Sequence, residues 1–318
     1  MIVHDLRHEL YGSRTELSLP DDFVWPRGKR IAVLIGACFE GWSNDKWPGL
    51  GPMGNPLPAA VPDINAVRWA EYGGRRGMPR ILRMLARYNV RATVFVNAVI
   101  AERFPQIVRS IASAGHDIAA HSGAQEVIPA LLDEDAERKN IQRSIDAIKN
   151  ACGVTARGWA SPRGTPSIRT ERLLAEAGLE WHADTLDDDL PYLLQFTGNS
   201  LIAIPVTMEV NDLPLHLKHG HPPYQMVRVF EDALRSLRSL GETGKIEAII
   251  HAHVFGRPAG IWAYEEIIRI AQASDDVWLT NWSEVSSHAQ QSLTKHALPG
   301  DGEWSQNSHA TQAPQVSR

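Results

Sequence analysis

Apolar runs of strand length alternate along this chain with stretches whose apolar residues recur at helical spacing, and this alternation restricts the fold more than any other feature. The run Ile31-Ala32-Val33-Leu34-Ile35-Gly36-Ala37-Cys38-Phe39 is apolar almost throughout, the pattern of a strand buried on both faces. Met78, Ile81, Leu82 and Leu85 then mark one face of a helix, and residues 90–97 form a second strand. Phe104, Ile107, Val108 and Ile111 mark another helix, which Gly115 closes before a strand that ends on His121. Asp133 is placed to cap a helix carrying Ile141, Ile145 and Ile148, with Gly153 at its end. Strands at 154–159, 180–184, 201–206, 246–251 and 277–280 continue the series, with helices opened by Thr165-Pro166 and centred on Phe230 and Ile267.

Six or seven such β-then-α units predict a parallel sheet. Because no Gly-x-Gly-x-x-Gly fingerprint follows any strand, closure into a barrel is favoured over an open nucleotide-binding sheet. A barrel of this type works at the C-terminal ends of its strands. Those ends carry Glu40, Asn97, His121, the run 159–163, Asp184 and His251, a polar rim on apolar strands.

The 318 residues, 43% of them hydrophobic, suffice for one large core. Residues 1–28 read as an irregular arm, 29–289 as a single domain and 290–318, rich in Ser, Gln and His, as a disordered tail. The segment 41–74, dense in Gly, Pro and Trp, reads as a substrate loop. The formal net charge of −5 offers no basic surface for nucleic acid. No signal peptide and no membrane span is recognised, and Cys38 and Cys152 form no disulfide framework. The expectation is therefore a cytoplasmic protein with a small-molecule substrate.

A carboxylate (Glu40), two imidazoles (His121 and His251) and a guanidinium (Arg163) on one rim suit hydrolysis of a carbonyl–nitrogen or carbonyl–oxygen bond. One group activates water, one protonates the leaving nitrogen and a cation holds the oxyanion. Trp42, Trp47, Trp69 and Tyr192 are candidates for the pocket wall, and His216, His219 and His221 lie in a segment, 213–224, that helps to set the substrate.

Several stretches resemble the polysaccharide deacetylase (NodB-homology) family. Ala92-Thr93-Val94-Phe95-Val96 is similar to its ATFFV strand, Gly115-His116-Asp117-Ile118-Ala119-Ala120-His121 to GHEIGNH, and Arg157-Gly158-Trp159-Ala160-Ser161-Pro162-Arg163-Gly164 to RGFRAPYG. Glu71-Tyr72-Gly73, Asp188-Asp189-Leu190-Pro191-Tyr192, Asn211-Asp212 and the run from His251 to Pro258 resemble the allantoinase-like subfamily that acts on small amides. The resemblance implies a distorted (β/α)7 barrel, a homo-oligomer, and hydrolysis of a non-peptide C–N bond. It implies a site of Glu40, His121, Arg163, Asp189 and His251, bordered by Trp42, Glu71, Tyr72, Gln125, Trp159, Tyr192, Asn211 and His253.

Sugar deacetylases of the family hold a divalent metal through an Asp and two His. Here the acid is Glu40 and the second histidine is replaced by Gln125, a poor zinc ligand, so no cofactor is firmly implied. A zinc site rebuilt from Glu40, His121, His251 and His253 stays open, since residues 251 and 253 share a face if the strand continues. Two further readings stay open as well: a metal-dependent sugar or peptidoglycan N-deacetylase, and an inactive barrel that binds a partner.

Overall fold

The computed structural model describes residue 12 and residues 14–49, 57–58 and 61–297. Strand β2 (Ile31–Phe39) is the axis of the sheet, and every one of its residues is buried. Ile31, Val33, Ile35, Ala37 and Phe39 pack outward under the helices, while Ala32, Leu34 and Cys38 pack into the core enclosed by the strands. Two-sided burial explains why this stretch lacks the alternation of a half-exposed strand.

Along its whole length β2 pairs in parallel with β9 (Gly244–His251), from Ile31↔Gly244 to Cys38↔His251. On its other edge it pairs with β10 (Val277–Thr280) near its start and with β3 (Thr93–Val96) near its end. The sheet continues in parallel through β4 (Asp117–Ala120), β5 (Gly158–Trp159), β6 (Trp181–His182) and β8 (Asn199–Ala203). The chain leaving β8 returns to β9, where Asn211 forms one parallel bridge with Ile249. That bridge closes a ring of seven strands, the distorted α/β barrel expected from the sequence.

Helices α1 (Ile64–Tyr72), α2 (Met78–Tyr88), α3 (Ala98–Arg103), α4 (Pro105–Ser113), α5 (Glu134–Cys152), α6 (Thr170–Glu176), α7 (Pro223–Leu240), α8 (Pro258–Gln272) and α9 (Trp282–Ala297) accompany the strands. The Asp133 side chain accepts from the Ala136 amide at 2.8 Å to open α5, and Gly153, at φ 78°, ends it.

Several expectations are corrected. Segment 41–74 contains α1, capped by Asp63, followed by a π-turn at Gly73–Gly77 that runs into α2. The short strand expected at 201–206 is one arm of an antiparallel hairpin between β7 (Tyr192–Phe196) and β8, which turns through Gly198 at φ 82°. The arm 1–28 contributes strand β1 (Thr15–Ser18), antiparallel to β7; residues 1–11 and 13 lie outside the described residues. Helix α9 runs past the boundary set at 289, and the rest of the expected tail, 298–318, lies outside the described residues. The helix expected from Thr165 begins at Thr170 because Ser167 and Thr170 turn their hydroxyls to the buried Glu137 carboxylate.

Gly77 shows how the π-turn is fixed. A Cβ there would lie 1.8 Å from the Ala252 carbonyl oxygen, so only glycine lets the turn after β9 reach this helix. No helix among the described residues is long and apolar enough to cross a membrane.

Candidate active site

The C-terminal ends of β2, β4 and β9 deliver Glu40, His121 and His251 to one point, and all three side chains are buried. Glu40 Oε1 lies 3.3 Å from His251 Nε2 and 3.5 Å from His121 Nε2, and it accepts from Gln125 Nε2 at 2.9 Å. Asn97 braces the approach: its Oδ1 accepts from the Gly41 amide at 2.9 Å and its Nδ2 donates to the His121 carbonyl. Ser122, at φ 65°, turns the chain sharply after His121 and is held by its hydroxyl bond to the Val127 carbonyl at 2.7 Å.

Each histidine is oriented from behind. His251 Nδ1 is 2.6 Å from Asp212 Oδ1, and the same carboxylate accepts from the backbone amides of His251 at 2.9 Å and Phe255 at 3.0 Å. His121 Nδ1 is 2.6 Å from the Ala160 carbonyl, which can only accept, so the hydrogen sits on Nδ1 and Nε2 presents its lone pair toward Glu40. Among the described residues that buried Nε2 has no hydrogen-bond partner. Behind Ala160, Asp184 accepts from the Ser161 amide and hydroxyl at 2.6 and 2.7 Å.

The charges follow from these contacts. Burial works against ionisation of Glu40, yet the charge of the neighbouring His251 outweighs it and holds the carboxyl well below its ordinary range. Burial likewise opposes a cationic His251, but Glu40, Cys38 and Asp212 raise it well above the usual imidazole value. Burial pushes the Cys38 thiol up. It pushes Asp184 up to about 6 and His253 down to about 4. Glu40 and His251 thus form a buried ion pair, with the proton on the histidine.

Beside Glu40 opens a cavity of about 140 Å³, walled by Trp42, Val67, Ala70, Ile100 and Phe104. Glu71, Lys46 and Arg103 supply its charged lining, and Arg103 donates to Asn44 Oδ1 at 2.8 Å. Tyr72 stands behind this wall, its ring covered by the Arg257 guanidinium at 4.0 Å and its hydroxyl bound by Arg80 at 2.8 Å. Asn211 is buried, accepts from the Leu213 amide at 3.0 Å, and fixes the turn that presents Asp212.

Other expected site residues are placed elsewhere. Asp189 shares a depression with Arg30 and Thr243, which precede β2 and β9, so it sits at the opposite end of the barrel from Glu40. A nine-residue strand separates those ends by about 30 Å. Tyr192 is buried near that end, its hydroxyl bonded to Asp187 at 3.0 Å. Trp159 is fully buried in the core and donates to Ser161 Oγ at 3.0 Å. Arg163, by contrast, stays near the site: it is exposed, at φ 62°, three residues past Ala160, whose carbonyl holds His121. His253 lies in a turn rather than in β9, so its assumed strand face does not exist. Its ring packs edge-on against Trp69 at 4.4 Å and Trp42 at 5.8 Å between centroids.

Asp212, Cys38 and Arg103 were not among the expected site residues. The sequence signal for Asp212 is its place in Asn211-Asp212, one of the stretches that resemble the allantoinase-like subfamily.

The acid-and-two-histidine metal set implied by the family resemblance does not fit this site. In the third ligand's place, Gln125 turns an N–H toward Glu40, and an N–H cannot ligate a cation.

Residues 70–182 match the family model described as polysaccharide deacetylase. A chitooligosaccharide deacetylase of Sinorhizobium fredii is 32% identical over 46% of this chain and 68% of its own length. The crystal structure of a probable polysaccharide deacetylase from Pseudomonas aeruginosa PAO1 superposes with a TM-score of 0.77 at 29% identity, covering 84% of this chain and 93% of that one. That of Puue allantoinase superposes with a TM-score of 0.76 at 27% identity, covering 84% and 92%.

Proposed function

We propose that this chain, which belongs to the polysaccharide deacetylase family and is a hydrolase of carbon–nitrogen bonds other than peptide bonds, acts on a small amide, ureide or cyclic amide, as an allantoinase does. The observation that carries the reading is the cavity of about 140 Å³ beside Glu40, lined by Trp42 and Phe104, a size that suits a small molecule better than a sugar chain. Glu40, as a carboxylate, takes a proton from the water that attacks the substrate carbonyl. The C–N bond then breaks as His251, cationic and aimed by Asp212, gives its proton to the leaving nitrogen. Transfer from Glu40 to His251 across the 3.3 Å gap restores the starting state. Arg103 and Lys46 are placed to hold a substrate carboxylate or carbonyl at the mouth, the role first expected of Arg163.

The test is a panel of ureides, cyclic imides and N-acetyl sugars, run with a chelator present and again with added zinc. Turnover of a ureide or cyclic amide in the chelator supports the reading. Turnover of an N-acetyl sugar alone, and only with zinc, replaces it with a sugar deacetylase.

A further inference from the structure

We infer that Cys38, Glu40 and His251 form a binding site for a soft divalent cation such as zinc, distinct from the acid-and-two-histidine set that Gln125 interrupts. A thiol, a carboxylate oxygen and an imidazole nitrogen from these buried residues lie within 4.8 Å of one another. The register of the sheet creates the group, because Cys38 and His251 are paired residues on adjacent strands and Glu40 follows Cys38 by two positions, just past the end of β2. His251 Nε2 and Glu40 Oε1 are 3.3 Å apart. Ligand atoms about 2.0–2.2 Å from one ion in a tetrahedral arrangement have such an edge.

Two further features point to a ligand. His251 binds the Asp212 carboxylate through Nδ1 at 2.6 Å, the carboxylate–histidine support that metal-bound imidazoles use, and this leaves Nε2 to face the group. His121 Nε2, buried and unpartnered among the described residues, faces the same Glu40 oxygen from 3.5 Å and offers an additional lone pair. Gln125 belongs to this arrangement as the support of Glu40, to which it donates at 2.9 Å. A sulfur ligand selects zinc or other soft ions over magnesium or calcium.

The inference stands apart from the proposed reaction. Occupancy takes His251 Nε2 out of proton transfer, so zinc is expected to inhibit that hydrolysis rather than drive it.

The test uses cobalt(II) as a spectroscopic stand-in on the full chain, stripped beforehand with chelator, and requires no substrate. Binding is expected to give a thiolate-to-cobalt charge-transfer band in the near ultraviolet. That band should vanish in Cys38→Ser, with about tenfold or greater loss of cobalt affinity, and persist in Cys152→Ser. In the unaltered chain, zinc should slow alkylation of Cys38 and leave that of Cys152 unchanged, a measurement that stands even if Cys38→Ser fails to fold. Cobalt binding without the band, a band lost with Cys152 instead, or no protection of Cys38 overturns the site. Failure of the ureide panel leaves all of these readouts intact, so the two readings fail separately.

Discussion

Two buried histidines, His251 at the mouth of the barrel and His182 beneath its outer layer, show what separates a working imidazole from a packed one. His251 meets two carboxylates, Asp212 at 2.6 Å and Glu40 at 3.3 Å, and they lift its proton affinity well above the ordinary value despite burial. His182 faces away from the enclosed core toward α6, where the Glu171 carboxylate is 3.8 Å from its Nε2. Neither of its ring nitrogens has a hydrogen-bond partner among the described residues. Burial, with the Arg14 charge adding to it, pushes His182 down to about 3. The same desolvation acts on both rings, and the partners decide the outcome. A histidine whose hydrogen is held by Asp212 can deliver a proton, whereas a buried neutral ring without a hydrogen-bond partner contributes packing alone.

The largest effect that would sharpen this contrast is on turnover. His251→Ala should lower kcat/KM by about 10²- to 10⁴-fold with an unchanged circular dichroism spectrum. Activity within tenfold of the parent would break the assignment of the acid.

A smaller effect concerns stability against pH. The folded value of His182 is about 3, well under the 6.5 of a free imidazole, so the folded state takes up its proton less readily than the unfolded chain. Its contribution is fully present above pH 6.5 and is lost as pH falls toward 3, at about 1.4 kcal/mol per pH unit. Between pH 7.5 and 5 the loss should be about 2 kcal/mol in urea unfolding, and His182→Leu should remove that part of the slope. An identical slope in the variant would show that the ring is not buried neutral.

The smallest effect is expected at the opposite end of the barrel. Asp189→Asn should leave kcat/KM unchanged and stability within about 0.5 kcal/mol, as for an ordinary exposed side chain. A large fall in turnover would return Asp189 to the site and contradict the placement of the 188–190 loop.

The sequence by itself determined the elements and their ends. Apolar continuity marks β2 and β9 as strands buried on both faces, and the polar residue that ends each run puts Glu40, His121 and His251 on the working face. These are local properties, set by side-chain alternation along an extended chain and by the need to bury both faces. The tertiary structure alone decided levels and partners. Ala203 ends β8 near the base of the barrel, and the chain runs on to Asn211 before it meets Ile249. This stagger lifts Asp212 to the back of His251, 39 positions away, and leaves Asp189 and Tyr192 at the far end despite their family-like motif. Cys38 enters the site for the same reason, through its register with His251. Alternation tells each residue which face it takes, but the height of one strand against the next is set by closure of the ring, a property of all seven strands together.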